Sequence, residues 1–215
     1  MKLRDIAYEI LTLLRSGLIS DDERIDLRLF EELIHQYRLE YVKELNQRTK
    51  TIPESFVQTS NVELTLTTRT TYKSLESNDL VPRISIGRYG AMIVGLYSPY
   101  VDEPSFTLVN RNQLKYCGNG KFNDKAIYVS YQGNRIVFKT KNAAYNSISD
   151  VDVTAVFEKP TDVPEFDEDL DDYPIDLDCV NYIKERFRDN DIKLILGQFS
   201  DEVNDADGEI EENGR

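Results

Sequence analysis

The residues of this chain with types and spacing suited to chemistry are its clustered carboxylates. In the stretch FDEDLDDYPIDLDCVNYIKERF, Phe166 to Phe187, the acids Asp167, Asp169 and Asp171 alternate, and Asp178 stands twelfth counting from Asp167. An EF-hand loop takes oxygen ligands from positions 1, 3, 5 and 12 and needs glycine at 6. Here position 6 is Asp172 and position 8 is Pro174, so the match fails where the loop must turn. The segment DADGEI repeats the middle of such a loop with Asp205, Asp207 and Gly208, but its first and twelfth positions are Val203 and Gly214. Neither stretch supports a specific calcium site; the first reads better as a hinge returning the chain to a body it left earlier.

Other catalytic constellations find little footing. His35 is the only histidine and sits inside a helical pattern, which removes most Ser-His-Asp, Cys-His and multi-histidine metal arrangements. CGNGKF at 117–122 lacks the P-loop spacing and its following Ser or Thr, and GRYG at 87–90 is adequately explained as a turn. A pair of carboxylates could act as acid and base, but in so acidic a chain no pair stands out. Cys117 and Cys179 have no CxxC spacing and read as packed or half-exposed thiols. No catalytic residue, metal or cofactor is expected.

The elements that would position these residues follow from periodicity. Leu3, Ile6, Ala7, Ile10, Leu13 and Leu14 recur at helical spacing, and Gly17 is placed to end that helix. Ser20 to Glu23, SDDE, is a capping-box signature opening a long helix to about Gln47. Its buried stripe is Phe30, Leu33, Ile34, Tyr37, Tyr41 and Leu45. The other face mixes Arg24, Arg28, Glu31, Glu32, Arg38, Glu40, Lys43 and Glu44, which suits a solvated face or contacts with other copies.

The period then changes to two. Val62, Leu64 and Leu66 alternate with polar residues; Ile84 and Ile86 do so as well; AMIVGLY, SFTLV and QLKYC are further strand candidates. In AIYVSYQGNRIVFKT, a two-residue turn at Gly133-Asn134 sets Tyr131 opposite Ile136 and Val129 opposite Phe138. Val151, Val153, Ala155 and Phe157 share one face before Pro160 stops the strand. Past the acidic run, Val180, Ile183 and Phe187 form a stripe that can dock on the N-terminal helices, and a second apolar piece, IKLIL, follows.

The expected architecture is therefore α+β. Residues 1–50 and 173–199 form one helical bundle, and 51–160 form a large inserted antiparallel β domain. Residues 161–172 make an acidic connector and 200–215 a flexible acidic tail.

The net charge is −13, and it is unevenly placed. Nine acids fall between Asp162 and Asp178 and seven between Asp201 and Glu212, with no Lys or Arg among them. The rest of the chain is close to neutral, a poor grip for a nucleic-acid backbone or a membrane. No apolar run is long enough to span a bilayer, and the N-terminus reads as a folded helix.

Particular strings narrow the reading further. KLRDIAYEILTLLRSGLISDDERIDLRLFEELIHQYRLEYVKEL, residues 2–45, resembles the N-terminus of neck ring (head-to-tail connector) proteins of tailed phages of Bacteroidetes, especially the crAss-like group. DDYPIDLDCVNYIKERF, residues 171–187, with the Asp/Asn-rich tail after it, is similar to the same group. The resemblance covers the two helical ends and only loosely the β region. It implies a non-enzymatic virion structural protein, assembled in the bacterial host cytoplasm. Copies would form a homo-oligomeric ring matching a twelvefold portal and contacting other neck or tail proteins. DNA would pass through the lumen without specific binding. A ring needs heterologous contacts, and Arg24, Arg28, Glu31, Arg38, Glu40 and Lys43 are the expected ring or portal contacts. The rival readings are a monomeric calcium- or ligand-binding β module, a carboxylate-pair hydrolase, or another component of a phage tail.

Overall fold

The computed structural model describes residues 1–14, 27–68, 73–98, 105–117, 126–141 and 143–188. The expected helix end at Gly17, the capping box at Ser20–Glu23, Arg24, most of CGNGKF, IKLIL and the acidic tail all lie outside these residues.

Helix α1 (Leu3–Leu14) and helix α2 (Leu27–Thr49) fall where the 3.6-residue period puts them. The first buries Leu3, Ile6, Ala7 and Ile10; the second buries Phe30, Ile34, Tyr37 and Val42. Leu33, Tyr41 and Leu45 are only partly buried at the margin of that stripe. Near the other end, α4 (Leu177–Arg188) buries Cys179, Val180, Ile183 and Phe187. Buried side chains of all three helices pool in one apolar cluster, in which Phe187 stacks on Phe30 at 5.7 Å and meets Tyr37 edge-on at 5.4 Å.

Among its described residues the β region holds nine strands: β1 (Gln58–Thr68), β2 (Lys73–Ser77), β3 (Ile86–Gly87), β4 (Gly90–Ala91), β5 (Ile93–Tyr97), β6 (Ser105–Leu108), β7 (Ala126–Gln132), β8 (Arg135–Thr140) and β9 (Asp150–Ala155). Seven of them form one sheet in the order β5-β9-β1-β2-β8-β7-β6. β1 pairs with β9 along Gln58–Glu63 and with β2 along Leu64–Thr68, so one long strand serves two partners on successive halves. The sheet curls until its two outer strands, β5 and β6, line the same cleft. Its concave side carries a second apolar cluster, including Val62, Leu75, Val129, Ile136, Phe138, Val151 and Val153.

The β7–β8 hairpin has the expected register, Tyr131 against Ile136 and Val129 against Phe138. Gly133 and Asn134 both take positive φ, 55° and 61°, which gives the turn the twist a two-residue hairpin needs. Val151, Val153, Ala155 and Phe157 are all fully buried, and Pro160 opens a short 3-10 turn, Pro160–Asp162.

Three strand expectations are corrected. The sheet is not wholly antiparallel, because β6 runs parallel to β7. That pairing needs a long crossover, which residues 109–125 supply. Part of QLKYC belongs to this crossover and is helical: α3 (Arg111–Leu114) is opened by Asn110, whose backbone N–H donates to the Gln113 side chain at 3.3 Å. The following turn is held from the sheet by Lys139, whose ammonium donates to the carbonyls of Leu114 and Lys115 at 3.2 and 3.0 Å. Ile86 is 61 % exposed and does not share a buried face with Ile84, because it sits in the small β3–β4 hairpin. There the absence of a side chain at Gly87 matters, since a Cβ would lie 2.6 Å from the Met92 methyl and 2.9 Å from the Asn46 amide.

Candidate functional site

The junction between helices and sheet is built around Arg38. Its guanidinium is fully buried and donates three hydrogen bonds to backbone carbonyls. Nε reaches Pro174 at 2.6 Å, Nη1 reaches Phe157 at 3.1 Å, and Nη2 reaches Phe56 at 2.9 Å. Those carbonyls belong to the segment leading to α4, the stretch just after β9, and the stretch just before β1. One side chain of α2 therefore ties together the chain's entry to the sheet, its exit, and its return to the helices. A planar fork of five donors spread over three nitrogens meets three widely separated acceptors at once, which a single compact ammonium does not. The rings of Tyr173 and Phe56 lie 5.6 and 6.0 Å from its central carbon and screen it from water. Burial lowers its pKa from the ordinary value, yet a guanidinium remains charged.

Arg38 was expected among the ring or portal contacts. That expectation is corrected: a fully buried guanidinium cannot meet another subunit while the chain is folded.

His35 flanks the same junction. Its Nδ1 shares a 2.7 Å hydrogen bond with the Tyr173 hydroxyl, whose pKa burial raises. Burial is also the main reason that the His35 pKa falls from 6.5 to about 4, with Glu32 opposing it and Arg38 and Lys159 adding to it. The folded state therefore keeps His35 neutral between pH 4 and 6.5, where the unfolded chain binds a proton. This contribution to stability is complete above pH 6.5 and is lost as pH falls toward 4. His35→Gln should consequently be destabilised against the native chain at pH 7, with the gap shrinking by about 2 kcal/mol by pH 4.5. Urea unfolding at the two pH values measures this directly, and a gap independent of pH would contradict it.

The acidic connector is anchored rather than free. Asp167 accepts hydrogen bonds from the backbone N–H groups of Asp169 and Leu170 at 2.9 and 3.2 Å. Asp171 accepts one from the Asp167 N–H at 2.9 Å. The alternating carboxylates that imitate a calcium loop are instead spent on their own turn, and Asp169 also pairs with Arg4 at 3.4 Å. The connector lies against the start of α1: the amino group of Met1 pairs with Asp172, and the Tyr173 N–H donates to the Met1 carbonyl at 3.0 Å. That amino group holds the Asp172 carboxyl below its ordinary range. Among the described residues, no cluster of three or more His, Cys, Asp or Glu side chains could hold a metal ion.

The remaining expected contact residues are scattered over α2. Arg28 and Glu40 are exposed, and Glu31 and Lys43 are half-buried. Part of the mixed-charge face is engaged within the chain: Glu32 pairs with Lys159, Glu44 with Arg48, and Glu40 lies 3.9 Å from Arg186. Such exposed pairs contribute little to stability, and their side chains remain available to a neighbour. Exposed tyrosines stand elsewhere on separate elements: Tyr8 at 57 % exposure, Tyr97 at 62 % and Tyr116 at 71 %.

No described helix is long and apolar enough to cross a membrane. A family model described as phage tail ring protein 2 matches residues 5–213, nearly the whole chain. A search among curated proteins finds no match. With that coverage, the chain belongs to the crAss-like phage tail ring protein 2 family, a family of structural ring proteins of the virion.

Proposed function

We propose that this protein is a head-to-tail connector subunit whose ring docks below the portal and extends the DNA channel. The division into working parts follows the sequence: a helical platform from the N-terminal helices and the helix returning after residue 173, a β body over 51–160, an acidic connector at 161–172 and an acidic tail at 200–215. Ring order follows the portal, at twelve copies. Arg28, Glu31, Glu40 and Lys43 of α2, with Arg24 ahead of it, face the portal or the adjacent subunit.

The observation that carries the reading is the Arg38 junction. A subunit that lines a channel must hold its helical and β parts in one fixed relation, and three hydrogen bonds from one buried charge do that. The acidic connector and tail support it from the other side, since DNA slides past carboxylates that line its path without sticking. The protein needs no catalytic group for this work.

Cryo-electron microscopy of the purified chain mixed with its portal protein tests the proposal. The expected result is a ring coaxial with the portal, with α2 at a protein boundary. A chain that binds only components distal to the neck would place it elsewhere in the tail and overturn the connector assignment.

A further inference from the structure

Among the described residues the curled sheet ends on two edges without a further strand, β5 and β6, on either side of one cleft of about 230 Å3. The cleft is lined by Ile93, Val94, Gly95 and Leu96 from one edge and Phe106 and Leu108 from the other. Soluble proteins usually guard such edges with charge or proline, because unpaired N–H and C=O groups template another strand. Neither IVGLY nor SFTL carries a charge or a proline. Val94 and Leu108 stand 52 % and 46 % exposed at the two rims. Following the pairings around the sheet, every neighbouring pair is antiparallel except β6 with β7, so β5 and β6 run in opposite directions. A strand entering between them would be parallel to one and antiparallel to the other, and both ladders are allowed.

We propose that this cleft receives an extended strand, Ile192–Leu196, from a second copy of the chain. The run IKLIL places Ile192, Leu194 and Leu196 on one face at a period of two, the pattern of a strand that pairs by its backbone edges and buries one side-chain face. It has the same five-residue length as β5. It begins four residues beyond α4, within about 14 Å of the helix end when extended, which favours an adjacent copy over a distant one. The matched family region includes it. Donor on one copy and cleft on the next make a heterologous contact, the kind that closes into a ring. The inference rests on ring assembly alone: a chain that forms rings but ignores the portal removes the connector assignment and leaves this contact standing.

Two full-length variants test it. V94K/L108K blocks the cleft with charge and keeps the donor; L194D breaks the donor and keeps the cleft. Native mass spectrometry should find each alone as a monomer with unchanged circular dichroism, and their equimolar mixture as a heterodimer that goes no further. L80K, at a more exposed site outside the cleft, should assemble as the native chain does. A synthetic peptide of residues 189–199 should bind the L194D protein at one site per chain, and at least tenfold more weakly when V94K/L108K is added. Rings from either variant alone, a mixture that stays monomeric, or a peptide that does not bind would overturn the proposal.

Discussion

Replacing Arg38 with methionine is expected to destabilise the protein by about 3 kcal/mol. The change strands the carbonyls of Phe56, Phe157 and Pro174 at a buried position, at about 1–3 kcal/mol each, partly offset because no charge remains to be desolvated. For a chain of this length the melting temperature should fall by roughly 6–12 °C. Arg38→Lys should regain little of it. A lysine presents one compact ammonium, which cannot reach three acceptors fanned around a planar fork. If Arg38→Met melted within 2 °C of the native protein, the junction would not depend on this side chain. The substitution should also raise the protein concentration needed for ring assembly, because the helical and β parts would no longer be held at one angle.

The second large effect is at Phe187. Its ring is 1 % exposed, stacked on Phe30 and edge-on to Tyr37, and it is where α4 meets α2. Phe187→Ala should cost about 3–5 kcal/mol from lost burial and the cavity left behind. Leu177→Ala on the same helix, 71 % exposed, should change stability by less than about 0.5 kcal/mol. Denaturant unfolding of the two variants compares them on one scale. Equal effects would mean that α4 is not docked through its apolar stripe.

Elements with strong periods were legible in the sequence. Val129 and Phe138 could be placed opposite each other because Gly133-Asn134 allows only a short list of turns, and the turn sets the register. The stripe of α4 could be read from Val180, Ile183 and Phe187 for the same kind of reason. The parallel β6–β7 pair could not, because period two reports which face is buried and says nothing of a neighbour's direction. The strand reading of QLKYC failed on apolar content, although its first residue, Gln113, stood at capping-box spacing from Asn110.

Arg38 is the most instructive case. It stands four residues after Ile34 and one after Tyr37, squarely on the buried stripe by spacing. Its charge argued for the surface, since arginines are seldom fully buried. What decides its place is the set of backbone carbonyls brought from residues 18, 119 and 136 positions away in the chain. No local pattern announces such acceptors. His35 was hidden likewise, because its partner Tyr173 lies 138 residues distant. The alternating aspartates were legible as a poor ligand loop, because Asp172 and Pro174 stand where the loop must turn; the hydrogen bonds that Asp167 and Asp171 accept from the turn's own N–H groups were not.

Native mass spectrometry of the full-length chain, titrated from dilute to concentrated solution with and without portal protein, tests the central claim most directly. One closed oligomer of fixed copy number is the expected result, at twelve copies when portal is present. A chain that stays monomeric at every concentration, with portal as without, would contradict it.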